Sequence, residues 1–188
     1  MCFQKDAQIT EHINIGQLRS HGRIQVVSGT TDRTVVHFEA PEPILLDKEI
    51  SNFLTWFNNS KTDTLLDPLL RAATTHLWFN SLHPFEDDNG RIARFLTDLA
   101  LAQADQQSIK FFAMPVRIFA HRASYYETLE MAKKGDIDTT SWLRCFFHTL
   151  DKTLVEASKE LNETTFKASF LRDVNQTRLS AQQLILLR

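Results

Sequence analysis

Between positions 83 and 94 the chain reads His-Pro-Phe-Glu-Asp-Asp-Asn-Gly-Arg-Ile-Ala-Arg, which places an imidazole, carboxylates, an amide, a glycine and two guanidinium groups side by side. An imidazole accepts a proton from a hydroxyl near neutral pH. A single carboxylate suits a hard divalent cation whose other ligands come from a nucleotide. Guanidinium groups and the amides of a tight turn suit phosphate oxygens. Ile92, Phe95, Leu96, Leu99 and Ala102 then follow the i, i+3, i+4 rhythm of a helix with one apolar face. The turn Asp87 to Gly90 therefore falls at a helix N-terminus, where unpaired N–H groups and the positive end of the dipole attract anions. The chemistry implied is the handling of a nucleotide's phosphates.

These residues resemble the signature of the Fic (Fic/Doc) family, His-x-Phe-x-(Asp/Glu)-Gly-Asn-Gly-Arg-x-x-Arg, at every fixed position but one, Asp88 standing where the family has Gly. The resemblance runs from about Gly16 to about Phe147, through the stretches Gln25-Val26-Val27-Ser28-Gly29 and Tyr125-Tyr126-Glu127-Thr128-Leu129-Glu130. It implies a mainly α fold, a Fic-type helical bundle with a β-hairpin flap. It also implies transfer of AMP from ATP to a Ser, Thr or Tyr hydroxyl of a target protein, with release of pyrophosphate. Gly90 is similar to the AMP-transferring branch, the phosphate-transferring branch carrying Lys there.

By that resemblance His83 is the general base, and Asp87 holds Mg²⁺, with Mn²⁺ as an alternative. Asp88, Asn89, Gly90, Arg91 and Arg94 form the ATP site. Asn89 and the turn's N–H groups hold the α-phosphate, and the two arginines, i and i+3 on the new helix, reach the outer phosphates. Asp98, four residues after Arg94, is an alternative structural partner for it. Tyr125 and Tyr126 match a pair that borders the nucleotide, although periodicity alone makes one of them core. Val26, Val27, Val35, Val36 and His37 match a flap that registers the target by strand addition. Phe85 is expected to pin the loop to the core, and Glu86 to be solvated.

Two departures bear on activity. A glycine at position 88 would allow positive φ and add no charge, whereas Asp tolerates the left-handed region but brings a carboxylate. At about 4 Å from a phosphate oxygen, with an effective dielectric of about 20, it would repel by ~4 kcal/mol. The second departure is the absence from the sequence of the family's inhibitory string (Ser/Thr)-x-x-x-Glu-(Gly/Asn). Self-inhibition is then missing, degenerate or supplied by a partner chain. A homodimer is also open. The runner-up to the transferase is a weakened Fic fold that binds nucleotide or a partner, with Asp88 as the cause. A metal-dependent hydrolase built on His76, His83, Asp87 and Asp88 fits poorly, since no His-x-x-x-His or equivalent ligand set exists.

The elements that must position these groups are readable. Ile24, Val26, Val27, Thr34, Val35 and Val36 make two β-branched runs around Ser28 to Arg33, a hairpin with a loop longer than two residues. A helix from Asp47 turns Ile50, Phe53, Leu54 and Phe57 inward and ends at Asn58-Asn59-Ser60. Asp67 and Pro68 make an N-cap and first-turn pair for a helix carrying Leu70, Ala73, Leu77 and Trp78, which Pro84 stops. Further helices are expected over 90–104, over 115–134 with Phe119, Ala123, Tyr126 and Leu129, and over 140–161 with Leu143, Phe146, Phe147, Leu150 and Leu154. The domain reading is an N-terminal segment over 1–22, a Fic core over 23–162 with its flap at 24–38, and over 163–188 a linker and, as the resemblance implies, the start of a winged-helix-like domain.

With 188 residues, 43% of them hydrophobic, the chain can bury a proper core, and a net charge of −2 gives no basic footprint for nucleic acid or an anionic membrane. Two cysteines, Cys2 and Cys145, make neither a disulfide framework nor a metal spacing. No apolar stretch reaches the ~18 residues of a membrane span, so the expected location is cytoplasmic.

Overall fold

A computed structural model describes residues 3–5, 16–22, 24–30, 33–104, 122–132 and 138–176. Among the described residues three strands, β1 (Phe3–Lys5), β2 (Ile24–Thr30) and β3 (Arg33–Glu39), precede five α-helices: α1 (Leu46–Asn59), α2 (Pro68–Leu82), α3 (Asn89–Ala104), α4 (Arg122–Ala132) and α5 (Thr140–Gln176). The fold is mainly α with a small antiparallel sheet, in the order β1-β2-β3.

The hairpin is tighter than its composition suggests. Pairing continues to Thr30↔Arg33, so two residues lie between the strands, because Ser28 and Gly29 are held in the ladder opposite Val35 and Thr34 despite their turn character. The register slips between Val26↔Phe38 and Val27↔Val36, leaving His37 as the extra residue of a bulge on β3. β1 pairs Phe3 with Val26, a strand that the short polar N-terminal segment did not announce. Among the described residues the outer edge of β3 carries no strand.

Helix α2 lies at the centre, packed on α1, α3 and α5. Arg71, Ala72, Ala73, Thr75, His76, Phe79, Asn80 and Leu82 are all buried, more than one face of a helix provides, as expected for an element surrounded by others. Its start is built as the sequence predicts: the Asp67 carboxylate accepts from the N–H groups of Leu69 and Leu70, with Pro68 in the first turn. Trp142, fully buried on α5, donates its indole N–H to the Ala73 carbonyl at 3.0 Å. Arg71 reaches the C-terminal end of α1, donating to Ser60 Oγ and the Phe57 carbonyl, with its guanidinium 4.6 Å from the centre of the Phe57 ring.

The seam of α3 differs from the expected face. Ala93, Thr97, Ala100 and Leu101 are buried, while Phe95 is 57% exposed and Ile92, Leu96 and Leu99 are half-buried. Small side chains let α3 approach α2 closely, and the larger apolar groups flank that contact instead of filling it. Leu54 on α1 and Leu154 on α5, both expected inside, are exposed. Helix α5 does not end near Leu161 but continues to Gln176, and among its described side chains Thr153 is the last that is fully buried. Phe119 lies outside the described residues, as do the side chains of Ala123 and Tyr126. No helix among the described residues is long and apolar enough to cross a membrane.

Candidate functional site

The segment from His83 to Arg94 joins the two most closely packed helices, α2 and α3. His83 is the C-cap of α2, in the left-handed region at φ 44 and ψ 56, its N–H donating to the Phe79 carbonyl at 3.1 Å. Pro84 forbids the helix from continuing, and His is one of the few non-glycine residues found readily in this region. The chain thus leaves α2 abruptly at the imidazole, which is half-buried.

Phe85 then packs back on Phe79, ring centres 6.4 Å apart, which is the pinning role its apolar character suggests. Asn89 fixes the same point twice: the Phe85 N–H donates to Asn89 Oδ1 at 2.9 Å, and Asn89 Nδ2 donates to the Phe85 carbonyl at 2.7 Å. With 2% exposure, this amide is turned inward and shapes the loop. As first-turn donors, the N–H groups of Asn89 and Gly90 have no acceptor within α3, whereas those of Arg91 and Ile92 donate to the Asp88 carbonyl at 2.9 and 3.0 Å.

Asp87 is exposed, and its Oδ1 accepts from the Asp88 N–H at 2.7 Å. Asp88 sits at φ 61, the conformation that glycine would take at no cost. Its carboxylate leans onto the next arginine, Oδ2 lying 3.3 Å from Arg91 Nη1, with both side chains more than half exposed. Gly90 has no positive φ to satisfy; its value is a bare surface, across which a terminal nitrogen of Arg94 lies 3.5 Å from where a Cβ would be. Arg91 is exposed and Arg94 half-buried, one turn into α3. Among the described residues no three metal-ligating side chains cluster.

Two expected or weighed residues lie in the core. Tyr125 is 4% exposed, bonded through its hydroxyl to His76 Nε2 and packed edge-on to Trp142, so it belongs to the core. His76 is equally buried, stacked on Trp142 and bonded through Nδ1 to Thr97 Oγ1 at 2.9 Å. Since Thr97 Oγ1 itself donates to the Ala93 carbonyl at 2.7 Å, it accepts from His76, which makes Nδ1 the protonated nitrogen and Nε2 the acceptor for Tyr125. Tyr126 follows Tyr125 on α4, its side chain outside the described set. For Val26, Val27, Val35, Val36 and His37 the backbone is placed in β2 and β3 and the side chains are not described.

Arg19 was missed altogether. It precedes the first regular element of the core, matches no spacing, and is nevertheless buried, with its Nε donating to the His83 carbonyl at 2.8 Å and its own N–H donating to the Pro84 carbonyl at 2.9 Å. Only the folded chain brings it there, across 64 positions.

The chain is similar to known proteins. The chain is 34% identical over 116 residues to protein adenylyltransferase fic-1 of Caenorhabditis elegans, covering 62% of this chain and 21% of that protein. It is 34% identical over 120 residues to protein adenylyltransferase Fic of Nematostella vectensis, covering 63% and 26%. The chain thus spans about a fifth to a quarter of the length of these curated relatives. Among solved structures, a Fic family protein from Desulfovibrio desulfuricans superposes with a TM-score of 0.61 at 26% identity, covering 77% of this chain and 41% of that one. A solved segment of Fic-1 from C. elegans gives 0.57 at 25% identity, with 79% and 38% covered. The profile of the Fic/DOC family matches residues 3–101, more than half of the sequence, and the protein is a member of that family.

Proposed function

We propose that this chain carries the catalytic core of a protein adenylyltransferase, which moves AMP from ATP to a Ser, Thr or Tyr hydroxyl of a target protein. One observation carries the reading: His83 ends α2 just before a helix start whose Asn89 and Gly90 N–H groups are open and whose first two turns carry Arg91 and Arg94. The relatives named protein adenylyltransferase support it.

In this reading the target strand adds to the outer edge of β3, which sets a hydroxyl against the α-phosphorus. His83 takes the hydroxyl proton as oxygen attacks phosphorus. The bond from the α-phosphorus to the bridging oxygen breaks in line, and pyrophosphate leaves with that electron pair. The N–H groups of Asn89 and Gly90 stabilise charge on the α-phosphate, while Arg91 and Arg94 hold the outer phosphates. Asp87, exposed at the mouth of the turn, fits as the one protein ligand of a divalent cation, Mg²⁺ or Mn²⁺, shared with ATP. Bound there, the ion would neutralise phosphate charge.

The ion pair between Asp88 and Arg91 favours a second reading, a slowed member of the family in which a carboxylate occupies part of the phosphate site. Incubation with Mg²⁺ and ATP labelled at either the α- or the γ-phosphate, followed by intact mass, tests the first reading: the α-label stays on protein and the γ-label does not. His83→Ala lowers that labelling by at least about 10² while ATP affinity by calorimetry holds, since the base acts on the hydroxyl. Retention of the γ-label, or full labelling by the His83 variant, would remove the mechanism.

A further inference from the structure

The guanidinium of Arg19 sits under the hairpin and behind the catalytic turn. Its Nε donates to the His83 carbonyl at 2.8 Å, Nη1 donates to the Gly22 carbonyl at 3.3 Å, and Nη2 donates to the Pro41 carbonyl. Gly22 lies just before β2 and Pro41 just after β3, so one planar group joins both legs of the hairpin's base to the residue after α2. The base is closed beside it by the bond from the Ala40 N–H to the Ile24 carbonyl at 2.9 Å, both residues being buried. The Arg19 N–H adds a further tie to Pro84.

All four of these bonds end on backbone carbonyls, and no carboxylate among the described residues pairs with the charge. Burial without a counter-ion is costly, and here it pushes the guanidinium below its ordinary range, although an arginine stays charged. A leucine of similar bulk would fill the space with less penalty. What it would lack is the rigid fork, which donates in three directions at once and therefore fixes angles as well as distances.

We infer that Arg19 is a positioning residue for AMP transfer, which holds the target-binding hairpin at a set place relative to His83 without touching ATP. The inference rests on the transferase reading. Arg19 acts at a distance from the phosphates, and an error of about 1 Å between base and hydroxyl costs on the order of 10² in rate.

The test uses the full chain, Arg19→Lys and Arg19→Met, with ATP and Mg²⁺ as probe and self-labelling with AMP as the transfer reaction. Lys keeps the charge and the stem but concentrates its donors at one atom, so it keeps the fold if Met does not. Both variants should speed hydrogen exchange at Ala40 and along residues 24–30 and 33–39, while α2 and α3 stay protected and ATP affinity changes by less than about twofold. Self-labelling should fall by at least about tenfold. In a Val36→Pro background, where the hairpin is already disrupted, the Arg19 change should cost much less than it does alone. Independent, multiplying losses would overturn the inference, because a residue that merely stabilises the core has no reason to act through the hairpin. Loss of ATP affinity in parallel with labelling, or unchanged exchange at Ala40, would overturn it too. A parent protein that transfers no AMP sinks the transferase reading, and exchange at Ala40 then decides whether Arg19 holds the hairpin to the His83 turn.

Discussion

Asp67 and Asp88 stand directly before α2 and α3, and the chain uses the two carboxylates in opposite ways. Asp67 has an extended backbone, φ −56 and ψ 129, and folds its Oδ1 over the helix start to accept from Leu69 at 2.8 Å and Leu70 at 3.1 Å. Pro68 has no N–H, and the Arg71 N–H donates to the Asp67 carbonyl, so every first-turn donor of α2 is accounted for. Asp88, at φ 61, points its carboxylate to Arg91 instead and leaves the N–H groups of Asn89 and Gly90 open. One residue type caps a helix in the first case and uncaps it in the second, and backbone conformation makes the difference. A sealed start stabilises a helix, whereas an open start keeps its dipole for a ligand.

The sharpest way to break this comparison is to remove a charge from the open start. Arg91→Ala should weaken ATP binding by about thirtyfold, roughly 2 kcal/mol, the range of a charge-assisted hydrogen bond. Part of that loss arises because Asp88 would then face the phosphates without its partner. Calorimetry with Mg²⁺ and ATP measures it, and equal affinity for parent and variant would mean that α3 does not begin at a phosphate site.

How far the sequence reveals this contrast follows from how local each cause is. Asp67-Pro68 and Pro84 act within a residue or two of themselves, and both helix ends fall where they predict. The positive φ at Asp88 was legible for the same reason, as a departure inside a turn. The α3 seam was not, because periodicity weights large side chains, while close approach of two helices selects Ala93, Thr97 and Ala100. Tyr125 and Arg19 lay further out of reach: their partners, His76 and His83, stand 49 and 64 positions away, and nothing in local pattern encodes such a bond. Asn89 was expected in the turn at the helix start, and its two bonds to Phe85 show an amide that holds the loop, a pairing that its spacing does not announce.

A smaller effect with a distinctive signature is expected at Asp88. Asp88→Gly should raise the initial rate of AMP incorporation at saturating ATP by about tenfold, equivalent to ~1.4 kcal/mol of barrier, by freeing Arg91 and removing a negative charge from the phosphate site. Its melting temperature should hardly move. Relief of the left-handed conformation is worth about 1 kcal/mol, and against it stand the lost exposed ion pair and the added freedom of the unfolded chain, together of similar size. A rate gain that merely tracks a stability gain would dissolve the contrast between the two aspartates, and an unchanged rate would put the cause of any slow transfer elsewhere.

The mirror experiment has the smallest effect and the opposite pattern. Asp67→Ala strips two first-turn donors of α2 of their acceptor, and the usual cost of losing such a cap is about 1 kcal/mol. Because α2 packs on α1, α3 and α5, that cost should appear as a lower midpoint of cooperative unfolding in urea with an unchanged slope. ATP affinity and AMP incorporation per folded molecule should stay at parental values, since the start of α2 is at the far end of that helix from His83. The two aspartates then separate along different axes, stability for one and rate for the other. If Asp67→Ala also lowered ATP affinity, the sealed helix start would be part of the nucleotide site, and backbone conformation at the cap would no longer explain which of the two starts binds phosphate.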